Sequence, residues 1–250
     1  MPSSVVHPAH YNARVTPLET LFLDAGGVLV FPNWTRISET MTRHGAPVTA
    51  EALMAAEPRA KFHIDQSVRA GSATDSQRAW LYMELVLENA GVAPSAATAA
   101  AIADLHAYHS QHNLWEFVPP DVRPALDRLS ALGLKLVVVS NANGVLHRMF
   151  DRVGLTKYFH EICDSCVEGV EKPDPRFFQI ALERSGASAG TTMHVGDLYH
   201  VDVIGARNAG LQQMLIDPYD LYREYDAERV RTLDELVDRV QARAGKGGGG

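Results

Sequence analysis

The chain has 250 residues, 46% hydrophobic and 21% charged, with a formal net charge of −7. That is the balance of an ordinary globular protein, not of a disordered or fibrous one, and the length suits one large domain or a core carrying a smaller insert. A net-acidic chain with no run of lysines and arginines argues against nucleic-acid binding, which needs a cationic surface. Residues 1–17 read as an N-terminal extension, since MPSSVVHPAHYNARV contains no apolar stretch of the secretory kind. No apolar run reaches membrane-spanning length, and the strongest, Leu134 to Val139, is interrupted by Lys135. Two cysteines cannot build a disulfide framework, so a reducing cytoplasm is the expected setting.

The first predicted strand is Thr20 to Leu23, an apolar run that ends at once in Asp24-Ala25-Gly26-Gly27. Residues 32–117 then read as almost wholly helical, with helices predicted over Trp34 to His44, Ala50 to Ile64, Asp75 to Asn89 and Ser95 to His112. Pro32 and Pro119-Pro120 mark the entry to and exit from this insert. Asp121 to Leu132 carries apolar residues at helical spacing, with Gly133 suited to the position just past its end. Leu134 to Val139 is a second buried strand and runs into Ser140-Asn141. A strand is predicted over Glu161 to Val167. Asp174 and Pro175 then supply the cap and first position of a helix that ends at Gly186. Thr192 to Val195 runs into Gly196-Asp197, a helix follows from Val201 to Ala209, and Gln213 to Ile216 is another strand. Thr232 to Glu235 is a capping box that opens a last helix, and residues 245–250 read as a flexible tail. Strands alternating with helices predict an α/β fold: a parallel sheet with helices on both faces, built from residues 18–31 and 118–244, with residues 32–117 as an inserted helical cap.

In such a sheet, ligands bind beyond the carboxyl ends of the strands, and polar residues placed just after apolar strands converge there. Asp24, Ser140 and Asp197 hold three such positions, Lys172 lies before a helix on the same rim, and Asp202 follows Asp197 by five residues. Carboxylates brought this close repel one another and repel a phosphate dianion, so the arrangement calls for cations. Mg²⁺ and one lysine balance three carboxylates, and Mg²⁺ takes oxygen ligands together with substrate phosphate. Asp24 and Asp197 are the natural ligands, with Asp202 direct or one shell out and the carbonyl of Gly26 as a further oxygen. Asp24 is then the nucleophile, forming an aspartyl-phosphate that divides one hard displacement into two. Ser140, with Asn141 beside it, and Lys172 would hold the phosphate oxygens.

These residues carry a family resemblance. Leu23-Asp24-Ala25-Gly26-Gly27-Val28-Leu29 resembles motif I of the haloacid dehalogenase-like hydrolases, and Val138-Val139-Ser140-Asn141 resembles motif II. Glu171-Lys172-Pro173-Asp174-Pro175 is similar to motif III, and Val195-Gly196-Asp197 to Asp202 resembles the acidic motif IV in its phosphatase form. The resemblance implies a Rossmann-like core with a helical cap of the C1 type, which opens and closes over the site and selects the substrate. It also implies a Mg²⁺-dependent phosphatase acting on a small organic phosphate, with no nucleic-acid or membrane partner. One departure stands out. Gly26 occupies the position where phosphatases of the family usually carry a second Asp as general acid and base, worth about 10²–10⁴-fold in rate. Two alternatives therefore stay open: a dehalogenase-type hydrolase of carbon–halogen bonds, whose leaving group needs no proton, or a catalytically weakened phosphate-binding or regulatory protein. His200 and His63 are candidate replacements for the acid.

Other features have plainer readings. Cys163 and Cys166, three apart in the predicted strand, point to opposite faces and read as two buried thiols, not a metal or redox pair. His106, His109 and His112 repeat along one helix and read as solvated or as lying between cap and core. Trp34, Trp80 and Trp115 read as cap packing, with Trp34 near enough to the crossing to reach substrate.

Overall fold

The computed structural model describes residues 18–69 and 75–246. Six strands form one all-parallel sheet in the order β3-β2-β1-β4-β5-β6. They are β1 (Thr20–Leu23), β2 (Lys135–Ser140), β3 (Glu161–Asp164), β4 (Thr192–Gly196), β5 (Gln212–Ile216) and β6 (Arg229–Val230). Alternate residues of a strand face opposite sides, and here both sides are covered. Leu21, Leu23, Leu136 and Val138 pack on one side against α5 (Val122–Ala131), α6 (Leu146–Val153) and α10 (Leu233–Lys246). Phe22, Val137 and Val139 pack on the other side with Phe177 and Phe178 of α8 (Pro175–Ser185) and Ala206 of α9 (Ile204–Asn208). Two buried faces explain why these strands are continuous apolar runs.

Between β1 and β2 lie α1 (Trp34–Arg43), α2 (Ala50–Arg69), α3 (Asp75–Asn89) and α4 (Ala96–His112). They share an apolar cluster of their own, which includes Ile37, Leu53, Val86 and Leu105. The chain enters and leaves this insert side by side, because Phe31 and Phe117 exchange both backbone hydrogen bonds at 2.8 and 3.0 Å. Glu116 fastens the junction, accepting from Arg36 and Tyr108 of the insert and from Arg152 at the end of α6.

Several elements differ from the sequence expectation. The segment after β4 starts as one π-helical turn at Tyr199–Val203 before α9, earlier than the expected Val201. Helix α2 continues past Ile64 to Arg69, and α10 continues to Lys246, so the expected tail is helical at its first two positions. Residues 1–17 and 247–250 lie outside the described residues. β6 is too short for an apolar run to announce it, and α6 opens after Val145 without a side-chain cap. The strand expected to reach Val167 stops at Asp164, whose carboxylate accepts the amide of Cys166 and caps the short helix α7 (Ser165–Glu168). Cys163 is therefore buried in the sheet while Cys166 is exposed, not the two buried thiols expected.

Burial pushes the Cys163 thiol up to about 12, so it stays protonated and inert at neutral pH. A disulfide-exchange reagent should titrate one thiol, Cys166, in the native protein and two after unfolding. Rapid reaction of both in the native state would contradict the placement of β3.

Candidate active site

The polypeptide runs from β1 to β2 and β3 on one side, then returns to β4 on the other side of β1. The ends of β1 and β4 thus flank a reversal of strand order, where open α/β sheets hold their ligands. Asp24 follows β1, Ser140 ends β2 and Asp197 follows β4. Carboxylate oxygens of Asp24, Asp197 and Asp202 all lie within 4.8 Å of one another, and all three residues are buried.

Lys172 is what makes this crowding tolerable. Its side chain is fully buried, with Nζ 2.7 Å from Asp202 Oδ1 and 3.1 Å from Asp24 Oδ1. The lysine is held by its own backbone: Asn141 accepts its N–H at 2.8 Å and donates to its carbonyl at 3.0 Å. Asn141, expected at the phosphate, thus spends these side-chain bonds on positioning Lys172. Asp202 is braced further by His194 Nε2 at 2.9 Å and by the amides of Asp197 and Leu198 at 3.2 and 3.0 Å. Asp24 Oδ1 accepts the amide of Ala25 at 2.7 Å, and Ser140 lies buried at the end of the neighbouring strand.

The environments separate the three acids. Burial raises Asp24 to about 6 against the pull of Lys172. Burial also raises Asp197 to about 6, against Lys61. Burial acts on Asp202 too, but Lys172 and His194 outweigh it and hold this carboxyl well below the usual range. Burial opposes the charge on Lys172, while Asp202 and Asp24 keep it firmly protonated. Two glycines make the geometry possible. A Cβ on Gly196 would lie 2.1 Å from Asp202 Cγ, and one on Gly27, whose φ is +72°, would lie 1.8 Å from Asp197 Oδ2. Beside Gly26 stands the indole of Trp115, 3.4 Å from where a Cβ would be.

These residues floor a cavity of about 670 Å³ that the helical insert roofs. Trp80, Tyr82 and Trp115 wall it, with Leu146 and Met149 from the sheet side. Trp34 is buried in the insert's own cluster and does not line the cavity. His106, stacked on Trp80 at 3.7 Å, and His109 border the cavity and form no metal cluster among the described residues. His109 accepts the Leu114 amide at Nδ1, and burial, with His106 nearby, pushes it down to about 4, so it is neutral. Neither acid candidate reaches the cavity: His63 is exposed, and the ring of His200 is taken by Asp65 at 3.0 Å.

Two residues that sequence reasoning passed over do reach it. Lys61 Nζ lies 2.7 Å from Asp197 Oδ2. Glu57, one helical turn earlier, borders the cavity and accepts from Tyr82 Oη at 3.2 Å. Their only sequence signal was the i, i+4 series Glu57, Lys61, Asp65, which reads as a solvated helix face.

Comparison with known proteins adds to this geometry. A family model described as haloacid dehalogenase-like hydrolase matches residues 18–210. The chain is 36% identical over 150 residues to haloacid dehalogenase-like hydrolase domain-containing protein 3 of Danio rerio, covering 56% of this chain and 62% of that protein. It is 30% identical over 185 residues to ribulose-1,5-bisphosphate 5-phosphatase of Halopiger xanaduensis, covering 68% of this chain and 75% of that one. Among solved structures, the magnesium-bound HAD-hydrolase YfnB of Bacillus subtilis superposes with a TM-score of 0.66 at 18% identity, over 90% of this chain and 99% of the other. At that identity the likeness speaks for the fold.

Lys172→Met should show how much depends on the buried ammonium. Leaving buried carboxylates unpaired is expected to cost about 3–5 kcal/mol at pH 7. The deficit should narrow as pH falls from 7 towards 4, because carboxyls that have lost the lysine become neutral by taking up protons. The wild-type contribution of Asp202, whose pKa is depressed, is fully present above the ordinary carboxylate pKa and starts to fade only below it. Urea unfolding in EDTA at both pH values measures this, and a pH-independent deficit would contradict it.

Proposed function

The chain belongs to the haloacid dehalogenase-like hydrolases, and from that premise we propose that it is a Mg²⁺-dependent phosphomonoesterase acting on a small organic phosphate, with Asp24 as nucleophile. The observation that carries the reading is the cluster of three buried carboxylates around one buried lysine. A hydrolase that expels halide needs no such concentration of acid, whereas a divalent cation does. The donor set fits Mg²⁺: hard oxygen ligands only, with negative charge left over after the two lysines are counted. Asp24, Asp197 and the Gly26 carbonyl would hold the ion, with Asp202 beside them. When bound, Mg²⁺ neutralises charge on the phosphoryl oxygens.

The remaining work falls to the chain's own groups. Asp24 attacks phosphorus, the bond from phosphorus to the ester oxygen breaks, and an aspartyl-phosphate forms while the alkoxide departs and takes a proton from water. Water then attacks that phosphorus, releasing phosphate and restoring Asp24. Ser140 donates to a phosphoryl oxygen. Lys172 stabilises the transferring group and keeps Asp24 oriented, and Asn141 keeps Lys172 in place. Residues 32–117 act as the cap over the core made by 18–31 and 118–244, closing the cavity around the organic part of the ester. The phosphatase name of the Halopiger relative is in keeping with this reading. So are two unpaired thiols, which suit a reducing cytoplasm.

Gly26 supplies no acid, and Trp115 occupies the space beside it. The departing alcohol is therefore poorly protonated, and rate should depend steeply on leaving-group acidity. Phenyl phosphate and benzyl phosphate are similar in shape but differ in that property. Phosphate release should need both Mg²⁺ and an intact Asp24, vanish in Asp24→Asn and in EDTA, and run faster on phenyl than on benzyl phosphate by about 10²–10⁴-fold. Equal rates on the two esters would mean that another group serves as acid. Release that survives EDTA and Asp24→Asn would overturn the assignment.

A further inference from the structure

Among the described residues, the insert meets the acid cluster through one ion pair. Lys61 Nζ lies 2.7 Å from Asp197 Oδ2, and both side chains are about nine-tenths shielded from solvent. The helix that carries it, α2, is anchored to the core by the turn that follows. Asp65 accepts the backbone N–H of His200 at 2.9 Å and meets its ring at 3.0 Å. Phe62 packs against Tyr222 and Tyr225, and Gln66 Oε1 accepts from Tyr225 Oη at 3.1 Å. Lys61 is thus placed at Asp197 by several independent contacts, not by a loose side chain finding an acid. Asp197 in turn is confined, pressed against the backbone at Gly27.

The charges give this contact a consequence. Three carboxylates face two ammonium groups, Lys61 and Lys172, leaving one negative charge. Lys172 is fully buried and shared by Asp24 and Asp202, so two carboxylates hold it in place. Lys61 borders the open cavity, forms its ion pair with Asp197, and feels the carboxylate of Glu57, one turn earlier, more weakly. A divalent cation and the Lys61 ammonium therefore compete for the same carboxylate. Separating a shielded ion pair is costly unless each charge finds a new partner. A phosphate in the cavity offers the ammonium that partner.

We propose that Lys61 is the counter-ion of Asp197 in the metal-free protein and gives up that carboxylate to Mg²⁺ when phosphate arrives to receive the ammonium, so that metal and phosphate bind cooperatively. The inference rests on the phosphatase reading for the role of Asp197 as a metal ligand. Lys61 is in this sense a positioning residue: it acts on the metal through Asp197 and on the phosphate directly. Linkage requires the effect to be mutual, with phosphate tightening Mg²⁺ by the same factor as Mg²⁺ tightens phosphate.

Isothermal titration of Mg²⁺ into wild type, Lys61→Gln and Lys61→Arg, each with and without saturating inorganic phosphate, tests this without turnover. In wild type, phosphate should tighten Mg²⁺ by about 5–150-fold, the usual span of such couplings. Lys61→Gln should bind Mg²⁺ alone about tenfold more tightly than wild type, as expected when about 1.4 kcal/mol of competition is removed, and phosphate should add less. Lys61→Arg should keep the wild-type pattern. Mg²⁺ affinity unchanged or weakened in Lys61→Gln, or equal coupling in both proteins, would overturn the proposal. Lys61→Gln also leaves Asp197 unpaired in EDTA, so Mg²⁺ should raise its melting temperature more than that of wild type, and an equal rise would count against the competition. Phosphate release by wild type separates the two readings. Release that needs Mg²⁺, together with an unchanged Mg²⁺ affinity in Lys61→Gln, removes the role of Lys61 and leaves the nucleophile standing. No Mg²⁺ dependence in wild type removes both.

Discussion

The site depends on one fully buried ammonium group. Lys172 sits between Asp24 and Asp202, and without it two ionised carboxylates would lie against each other in a shielded interior. Buried ion pairs of this kind seldom increase stability over an apolar core, because the desolvation of both partners offsets their attraction. What they do is fix geometry, and the rest of the site is arranged to hold this one. Asn141 locks the backbone of Lys172, His194 and two amides saturate Asp202, and Gly196 lets Asp202 come within contact of the strand end. Asp24, Lys172 and Asp197 border the cavity, where a reacting atom could meet Asp24, and Asp202 does not line it.

The sheet explains why such distant residues meet. Positions 24, 140 and 197 are far apart in the chain, yet each falls at the carboxyl end of a strand, and those strands are neighbours. The strands are apolar along most of their length, and carboxylates and a hydroxyl gather at their carboxyl ends. His194, inside β4 and almost wholly buried, is a polar side chain within the sheet whose Nε2 reaches Asp202. Its burial keeps its pKa low. The insert lies over the rim, joined to the core at the Glu116 junction and along α2, where Lys61, Phe62, Asp65 and Gln66 meet it.

Much of this was legible in the residues because buried parallel strands and glycine-punctuated helix ends leave strong local signals. Thr20 to Leu23 and Leu134 to Val139 were readable as strands, since short, largely apolar runs closed by turn residues suit buried parallel strands. The polar residues after them were readable as a site for the same reason. What stayed hidden depends on contacts between segments far apart. Lys61 has the sequence environment of a surface lysine, and only the docking of α2 onto the π-helical turn at Tyr199–Val203 turns it towards Asp197. The strand at Glu161 was overextended because Asp164 ends it through its own side chain, a choice that three further β-compatible residues do not reveal. Trp34 and Trp80 look alike in sequence, and only packing sends one into the insert's core and the other to the cavity wall.

That division of the tryptophans gives the protein an optical property. Of its three indoles, Trp80 and Trp115 stand at the cavity surface, and Trp34 is buried in the insert's own cluster. Trp115 also adjoins both Gly26 and the ring of His109, so its surroundings change with whatever occupies the space above Asp24. Emission from the cavity pair should therefore respond to whatever fills the cavity, against the background from Trp34. Filling of the cavity would then be readable through intrinsic fluorescence, with no label attached.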